Sequence, residues 1–320
     1  MDEHFITEIE IENFKCFENF KASGFKRVNL IGGKNNVGKT AFMEACYINI
    51  YSQDIESTTN ALYNIKFMRE NLEYVEKNIE IKKLFESTPY FYSKSNNNSI
   101  KFNISTKNGK KEYLFDINHN KIAVNSNEFS YQLKNIKNIK FIDKFGFTNQ
   151  KLKEVYIAVQ RKDKEDTLYK YINLFDKNIE KFKIMGGETP ECKIKSGEYR
   201  YINEFGDGLK HFISIICSLY ACKNGYLFID EIDNEIHYSK FDILWEIILT
   251  ISKEQNVQVF ATTHSKEVIA SYARVLAKLK DENITFFDMG NKKDGTTVSI
   301  TMNYERLLRY IELGNEVRGW

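Results

Sequence analysis

The sequence predicts an α/β fold in which a mixed sheet is flanked by helices and interrupted by a helical and β insertion. Near both ends of the chain, short apolar runs alternate with longer segments of helical periodicity. That alternation is typical of a largely parallel sheet with helices on its faces. A long middle stretch lacks the alternation and instead has polar helical sequence and hairpin signals. The middle stretch is therefore predicted to be an insertion.

The first elements are two strands and a helix. Residues 5–14 (FITEIEIENF) alternate apolar and polar side chains as a half-buried strand does, and residues 27–32 form a continuous apolar run. Residues 40–51 then place apolar side chains at helical spacing, directly after a glycine-rich segment. The predicted order is strand, Gly-rich loop, helix.

The middle of the chain is predicted as a helical and β lobe. Residues 55–85 have polar helical character, and the segment NISTKNGKKEYLF predicts a hairpin at its Asn-Gly pair. Helical periodicity returns over residues 151–181, and the glycines and proline of 186–190 predict a loop. We therefore predict a core divided into residues 1–54 and 201–320, with an insertion over residues 55–200.

The C-terminal part returns to alternating helices and strands. The predicted elements are a helix over 209–222, a buried strand over 226–229, a helix over 241–251 and a strand over 257–261. The runs ITFFD and TTVSITM are predicted as antiparallel strands joined by a GNKKDG turn.

Composition favours a globular protein without a membrane span. The chain is 42% hydrophobic and 28% charged, and its N-terminus MDEHFITEIE has acids where a secretory signal would have Lys or Arg. The longest apolar stretch is about a dozen residues, shorter than the roughly 20 that a bilayer requires. We expect a cytoplasmic protein that does not bind membranes.

The charge is distributed unevenly. Residues 55–200 hold 27 Lys and Arg against 19 Asp and Glu, whereas the rest holds 19 against 25. A basic insertion predicts a polyanionic partner such as nucleic acid. The alternative is an ordinary solvated surface rich in lysine.

The segment GKNNVGKT, residues 33–40, fits the P-loop pattern and lies between a predicted strand and helix, where the chemistry needs it. Its glycines allow backbone N–H groups to face phosphates, the ammonium of Lys39 meets the β- and γ-phosphates, and the Thr40 hydroxyl binds Mg²⁺. The predicted cofactors are ATP and Mg²⁺. The predicted nucleotide contacts here are Gly33, Asn35, Asn36, Gly38, Lys39, Thr40 and Ala41.

A pair of carboxylates ends the apolar run YLFIDE, residues 226–231. Ligands of open α/β sheets bind at the C-terminal ends of strands. Asp230 is predicted to hold Mg²⁺ in the manner of a Walker-B aspartate. Glu231 is predicted to orient and deprotonate the attacking water. On its own such a pair is a weak signal, because exposed strand ends often have acids.

Two further candidate sites are a histidine at the end of a predicted strand and a glycine-rich loop before a predicted helix. His264 ends the predicted strand of ATTHS, from which its side chain could approach the γ-phosphate; a lone histidine is otherwise usually structural. The loop Gly206, Asp207 and Gly208 directly precedes an apolar helix, and N–H groups at a helix start bind anions. The alternative for this loop is an ordinary helix start with Asp207 as its cap.

Along the chain come the P-loop, the Gly206 to Gly208 loop, the Asp230 and Glu231 pair, and His264. Together, in this order, these four elements resemble the ATP-binding-cassette (ABC) class of P-loop NTPases, which includes SMC proteins and RecF. The similarity is strongest to the small OLD-like ATPases of the AAA15 and AAA21 types. It covers about residues 5–50 and 200–318, leaves the insertion uncovered and includes no Toprim nuclease module. The segments that carry it are GGKNNVGKT, EFGDGLKHF, YLFIDEIDNEIHYS, VQVFATTHS and LGNEVR.

The resemblance implies a homodimer or higher oligomer in which ATP lies between the P-loop of one subunit and the signature loop of another. Gly206 stands where the class usually has serine, so a contact in trans would use backbone N–H groups. Asp233 falls in the implied dimer-contact loop, and His237 matches a family histidine. Gln53 and Gln160 are both candidates for the Q-loop glutamine.

The resemblance also implies a biological role, in which an ATPase controls a separately encoded effector or nuclease in bacterial defence against phage. One alternative is a DNA-repair ATPase of the RecF type whose basic insertion holds DNA. Another is a scaffold that binds ATP without hydrolysing it. A guanine-reading motif, N-K-x-D at residues 291–294, would favour a GTPase, but it falls in a polar turn between two predicted antiparallel strands.

Overall fold

The structure is a computed structural model that describes residues 4–70, 99–107, 109–116, 121–126, 138–185 and 189–312. The predicted hairpin residue Asn108, the end of the predicted 55–85 helix and the LGNEVR segment lie outside the described residues.

A six-stranded mixed sheet forms the centre of the molecule. Its order is β14-β13-β3-β12-β11-β7, and every pairing is parallel except that of β13 with β14. Four of its strands are buried on both faces, as the continuous apolar runs predicted. The strands are β3 (Val28–Gly33), β7 (Ile139–Ile142), β11 (Tyr226–Ile229), β12 (Gln258–Thr262), β13 (Ile284–Asn291) and β14 (Thr297–Met302).

Helices cover both faces of this sheet. One face packs against α1, whose Phe42 contacts Phe25 and Phe287 in a cluster of aromatic rings. The other face packs against α5, α6 and α7. The helices are α1 (Lys39–Tyr51), α2 (Ile55–Glu70), α3 (Asn149–Gln160), α4 (Glu165–Phe175), α5 (Asp207–Ala221), α6 (Phe241–Gln255), α7 (Lys266–Leu279) and α8 (Tyr304–Glu312).

Two antiparallel sheets complete the described part. A five-stranded sheet has the order β2-β1-β4-β5-β6, and a three-stranded sheet has the order β10-β9-β8. The strands of these sheets are β1 (Glu8–Phe14), β2 (Phe17–Ser23), β4 (Ser99–Thr106), β5 (Gly109–Asp116), β6 (Lys121–Ser126), β8 (Ile179–Met185), β9 (Thr189–Ile194) and β10 (Tyr199–Tyr201).

The predicted mixed sheet with flanking helices is confirmed, as are the strand, loop and helix around the P-loop and the hairpin of β4 with β5. The predicted helix over residues 151–181 is wrong in part. It is two helices, because Asp163 adopts a left-handed φ of 50° between them, and its last residues begin strand β8.

The middle segment also contributes to the central sheet. Strand β7 pairs in parallel with β11, and α3 packs on α5. The part of the chain from residue 138 is therefore not separate from the core, which sequence periodicity alone did not reveal. The exact division into residues 1–54, 55–200 and 201–320 stays a prediction.

Candidate functional site

The P-loop connects β3 to α1 through backbone conformations that glycine supplies. Gly33 has a φ of 137°, and a Cβ atom there would lie 2.3 Å from the carbonyl oxygen of Met289. Gly38, at the N-cap of α1, has a φ of 95° and no side chain caps the helix. The first N–H groups of α1 therefore have no capping side chain, which is the arrangement that binds phosphate.

The ammonium of Lys39 lies across this loop. Its Nζ donates hydrogen bonds to the carbonyl oxygens of Gly33 and Lys34, both at 2.8 Å. Burial lowers the pKa of Lys39, and the nearby carboxylates of Asp230 and Glu231 act in the opposite direction. A partly desolvated cation facing two acids is suited to receive the β- and γ-phosphates with a bound divalent ion.

Thr40 and Asp230 meet as a Walker-A threonine and a Walker-B aspartate should. The Thr40 hydroxyl donates to Oδ1 of Asp230 at 3.1 Å, and the Thr262 hydroxyl donates to the same oxygen at 2.7 Å. Asp230 is only 3% exposed. Buried carboxylate and hydroxyl oxygens are the donors that Mg²⁺ prefers, so these residues fit that ion.

Asp143 joins this group, although sequence reasoning missed it. It follows the last residue of β7, as Asp230 follows β11, and both line a narrow cavity of about 10 Å³ with Thr40 and Glu44. The space is about that of one water molecule. The signal was present in the sequence, because KFID before residue 144 repeats the LFID of the Walker-B strand.

The described carboxylates do not by themselves form a complete metal-binding site. Across the described ranges, no group of three His, Cys, Asp or Glu side chains is arranged to hold a metal ion. This agrees with Mg²⁺ chemistry, since that ion is usually held by one or two carboxylates together with substrate phosphates and waters.

Neither glutamine proposed for the Q-loop lines this cavity. Gln53 follows α1, where its N–H donates to the Ser57 hydroxyl at 2.9 Å. Gln160 is the last residue of α3. The position beside the Walker-B strand that lines the cavity belongs to Asp143.

Glu231 begins a tight turn directly after Asp230. Its φ is 53°, its N–H donates to the Thr262 hydroxyl at 2.9 Å, and its side chain is half-buried. Asp233, predicted as a dimer-contact residue, accepts a hydrogen bond from the Thr263 hydroxyl at 2.6 Å. The ends of β11 and β12 are thus tied to each other by two threonine hydroxyls.

His264 follows Thr263 at the end of β12 and is exposed. Within the part of the chain that the structure describes, its imidazole makes no hydrogen bond or ion pair. His237 is also exposed and accepts a hydrogen bond from the backbone N–H of Ser239. The assignment of His264 to the γ-phosphate therefore stays a prediction.

The loop before α5 differs from the alternative in which Asp207 caps the helix. The helix begins at Asp207, and Gly206 is the N-cap, with a φ of 83° and no capping side chain. A Cβ on Gly206 would meet nothing within 4 Å, whereas one on Gly208 would lie 2.1 Å from the carbonyl oxygen of Glu235. Gly206 thus offers an open helix start, and Gly208 fixes it against the turn that follows Glu231.

The N-K-x-D motif lies outside this site. Its residues join β13 to β14, and Asp294 accepts a hydrogen bond from the N–H of Thr296 at 2.9 Å. The carboxylate therefore orders a hairpin turn, which is the ordinary role of aspartate at such a position.

His211 is buried on α5, the helix that follows Gly206. It lies on α5 below the turn, beside Gly146 and Ile232, and its Nε2 has no hydrogen-bond partner among the described residues. Burial lowers the pKa of His211 to about 4. The native protein therefore holds this imidazole neutral.

We expect His211→Leu to flatten the acid dependence of the free energy of unfolding. Between pH 6.5 and 4 the unfolded chain protonates His211 and the folded chain does not, so the wild type loses stability as pH falls. The variant lacks this loss, which amounts to about 3 kcal/mol. Urea unfolding at pH 7 and at pH 4 measures it, and parallel pH profiles for the two proteins would contradict it.

The P-loop lies at the end of a strand of a mixed sheet, and its lysine is near two acids that end another strand. This arrangement defines the core of an ABC-like P-loop ATPase. The chain belongs to the AAA_15 family, whose model, described as an AAA ATPase domain, matches residues 49–269. The prediction of an AAA15-type ATPase is confirmed. The match also runs through all of residues 55–200, which the resemblance was expected to leave uncovered.

Two curated proteins and one solved structure are similar to this chain. An ATP/GTP phosphatase of Helicobacter pylori is 25% identical over 96% of this chain and 98% of its own length. The DNA replication and repair protein RecF of Bacillus mycoides is 29% identical over 37% of this chain and 28% of its own. A Pyrococcus furiosus Smc head domain, solved with the C-terminal domain of ScpA, covers 97% of this chain at 10% identity and a TM-score of 0.57.

The protein is therefore an ATPase of the AAA_15 family, with a fold similar to that of Smc head domains. No helix within the described ranges is both long and apolar enough to span a bilayer.

Proposed function

We propose that the protein is a Mg²⁺-dependent ATPase in which ATP brings two copies together and so controls a partner protein. The observation that carries the hydrolytic part is the Thr40, Asp230 and Thr262 hydrogen-bond group beside Lys39. In this group, Lys39 is a cation suited to bind phosphate. Asp230 is a buried carboxylate suited to bind Mg²⁺, and Thr40 adds a hydroxyl at the start of α1.

Each side chain then has a role that its position supports. The N–H groups of α1 and the Lys39 ammonium bind the phosphates, and Thr40 with Asp230 would hold Mg²⁺, which when bound supplies charge neutralisation at the β- and γ-phosphates. Glu231, next to Asp230, would accept a proton from the attacking water. His264, at the adjacent strand end, would orient the γ-phosphate.

Association of two copies would complete the site. Gly206 and Asp207 are exposed, and no side chain caps α5, so the start of this helix would offer hydrogen-bond donors to a phosphate of another subunit. Because Gly208 packs on Glu235, this loop and the turn after Glu231 would respond together to bound nucleotide.

The controlled partner would be a separate effector or nuclease, and the role would be defence against phage. Its support is the motif order shared with small OLD-like ATPases, together with membership of the AAA_15 family. Smc heads are solved with a bound protein, ScpA, which supports partner binding by this fold. Pull-down of the products of adjacent genes with and without ATP tests this role, and binding that ignores nucleotide would contradict it.

A RecF-type role in DNA repair is the second candidate. It is supported by the similarity to RecF and by the surplus of Lys and Arg over residues 55–200. Stimulation of ATP hydrolysis by duplex DNA, lost at high salt, would favour it over the effector role.

We expect Asp143→Asn to weaken the effect of Mg²⁺ on ATP binding by about tenfold, as loss of a residue beside a metal site does. The amide keeps the Oδ1 that accepts the Phe145 N–H at 2.8 Å, so the loop should stay folded. Calorimetric titration of ATP with and without Mg²⁺ measures the effect. Asp163→Asn, an exposed aspartate between α3 and α4, is the matched control.

An unchanged ratio of the two affinities in Asp143→Asn would remove Asp143 from the metal side. If ATP binding weakens equally with and without Mg²⁺, the substitution has impaired folding or the binding of the phosphates themselves. That result would also contradict this assignment.

A further inference from the structure

A second concave site lies at the edge of the central sheet opposite the P-loop. It is formed near the start of β7, at the end of α3 and at the end of α5. Because β7 and β11 run parallel to β3, their starts lie away from the phosphate-binding edge. The cavity has a volume of about 400 Å³. That volume is in the range of small-ligand sites, roughly 300 to 1,000 Å³.

The cavity is strongly basic. Lys140, Arg161, Lys162 and Lys223 line it, with Glu154 as its one acid. In the part of the chain that is described, the side chains of Lys140, Arg161 and Lys223 make no ion pair or hydrogen bond. An ordinary surface lysine nearby behaves differently, since Lys164 pairs with Glu254 at 2.9 Å.

Lys162 is held in place by the protein. Its Nζ donates to the carbonyl oxygen of Tyr220 and to Oε1 of Gln255, both at 2.6 Å. An ammonium has three donors, so one remains for a ligand. Burial and the positive charge of Lys223 lower the pKa of Lys162. An anion in the cavity would offset this repulsion.

Helix ends account for only part of this charge. Arg161 and Lys223 follow the C-terminal ends of α3 and α5, where the helix dipole favours cations. Lys162 donates to the Tyr220 carbonyl in the last turn of α5 and is explained in the same way, whereas Lys140 lies within β7 and is not explained by a helix end. The four cations line one cavity because β7, the end of α3 and the end of α5 all contribute to its wall.

The cavity wall is partly apolar. Ile157, which is 36% exposed, contributes to it with Ala158 and Ala221. A basic rim over an apolar wall matches a ligand with phosphate groups and a small apolar body. We infer that this cavity binds a small phosphate-bearing ligand of about mononucleotide size, at a site separate from the P-loop.

Tripolyphosphate is a suitable probe, titrated calorimetrically into the full chain with Lys39→Ala to weaken binding at the P-loop. We expect saturable binding of one tripolyphosphate per chain. Arg161→Glu with Lys223→Glu should weaken it at least about tenfold, because each reversal removes a charge-assisted contact and adds repulsion. Lys151→Glu with Lys170→Glu, exposed residues outside the cavity with the same charge change, should leave the affinity within about twofold.

Equal losses in the two double variants would show a general charge effect and overturn the inference, as would the absence of saturable binding. A single-stranded oligonucleotide arm distinguishes the source of the phosphate. If the oligonucleotide binds at least about a hundredfold more tightly and the cavity variant loses that binding, the site holds a nucleic-acid backbone, which overturns the small-ligand inference. Steady-state ATP hydrolysis by the two double variants, with Lys39 intact, should match the wild type. If tripolyphosphate does not bind in the cavity, the inference of this second site fails but the ATPase proposal is unaffected.

Discussion

Glu231→Gln is expected to reduce ATP turnover by about 10² to 10³ while ATP binding stays intact. Removal of a positioned general base typically costs this much, and the amide keeps the size and hydrogen-bonding capacity of the side chain. Glu231 follows the buried Asp230, and its N–H bond to the Thr262 hydroxyl fixes the turn without using the carboxylate. Steady-state phosphate release and equilibrium ATP binding measure the two quantities.

Glu235→Gln is the matched control. Glu235 has the same left-handed backbone, with a φ of 58° against 53° for Glu231, but its side chain is exposed four residues further along the turn. We expect near wild-type turnover from this variant. If wild type and Glu231→Gln release phosphate at equal rates while both bind ATP, the assignment of Glu231 is wrong. If, in addition, neither rate exceeds the rate without protein, the protein is a nucleotide-dependent scaffold.

Lys39→Ala is expected to weaken ATP binding by about a hundredfold. The ammonium is the cation of the P-loop, and loss of hydrogen bonds to charged groups costs about 1.5–3 kcal/mol. Among the described residues the ammonium donates to two carbonyl oxygens, so the fold should tolerate the change. Titration calorimetry with ATP and Mg²⁺ measures the affinity.

Lys34→Ala removes a lysine from the same loop and is the control for Lys39→Ala. Lys34 is exposed, and it contributes its backbone carbonyl, which alanine also has. Its affinity for ATP should stay within about threefold of wild type. Equal effects in the two variants would mean that the loop's general charge, and not the position of Lys39, determines binding.

The sequence predicts this site well where the chemistry is local. Lys39 and Thr40 lie at adjacent positions of one helix start, and the strand Tyr226–Ile229 ends directly before Asp230, as the apolar run indicated. These relations need only a strand, a turn and a helix, each of which has a strong sequence pattern. The approach of Thr40 to Asp230 then follows from two parallel strands that end at one edge.

The residues that sequence reasoning missed depend on distant pairings. Asp143 reaches the cavity beside Thr40 and Asp230 because β7 pairs with β11, 87 positions further along the chain, and periodicity does not reveal that pairing. The same pairing makes the predicted insertion partly a component of the core. Asp163, whose left-handed φ separates α3 from α4, is a local conformation that helical periodicity could not reveal.

Particle mass with and without ATP shows whether nucleotide brings two copies of the chain together. Glu231→Gln is the variant to use because it should hold ATP unhydrolysed. Sedimentation velocity should show a 37.6 kDa chain without nucleotide and a particle of twice that mass with ATP and Mg²⁺. Adding Lys39→Ala to this variant should abolish the shift. An unchanged mass in the presence of demonstrably bound ATP would contradict nucleotide-driven association and the control of a partner that depends on it.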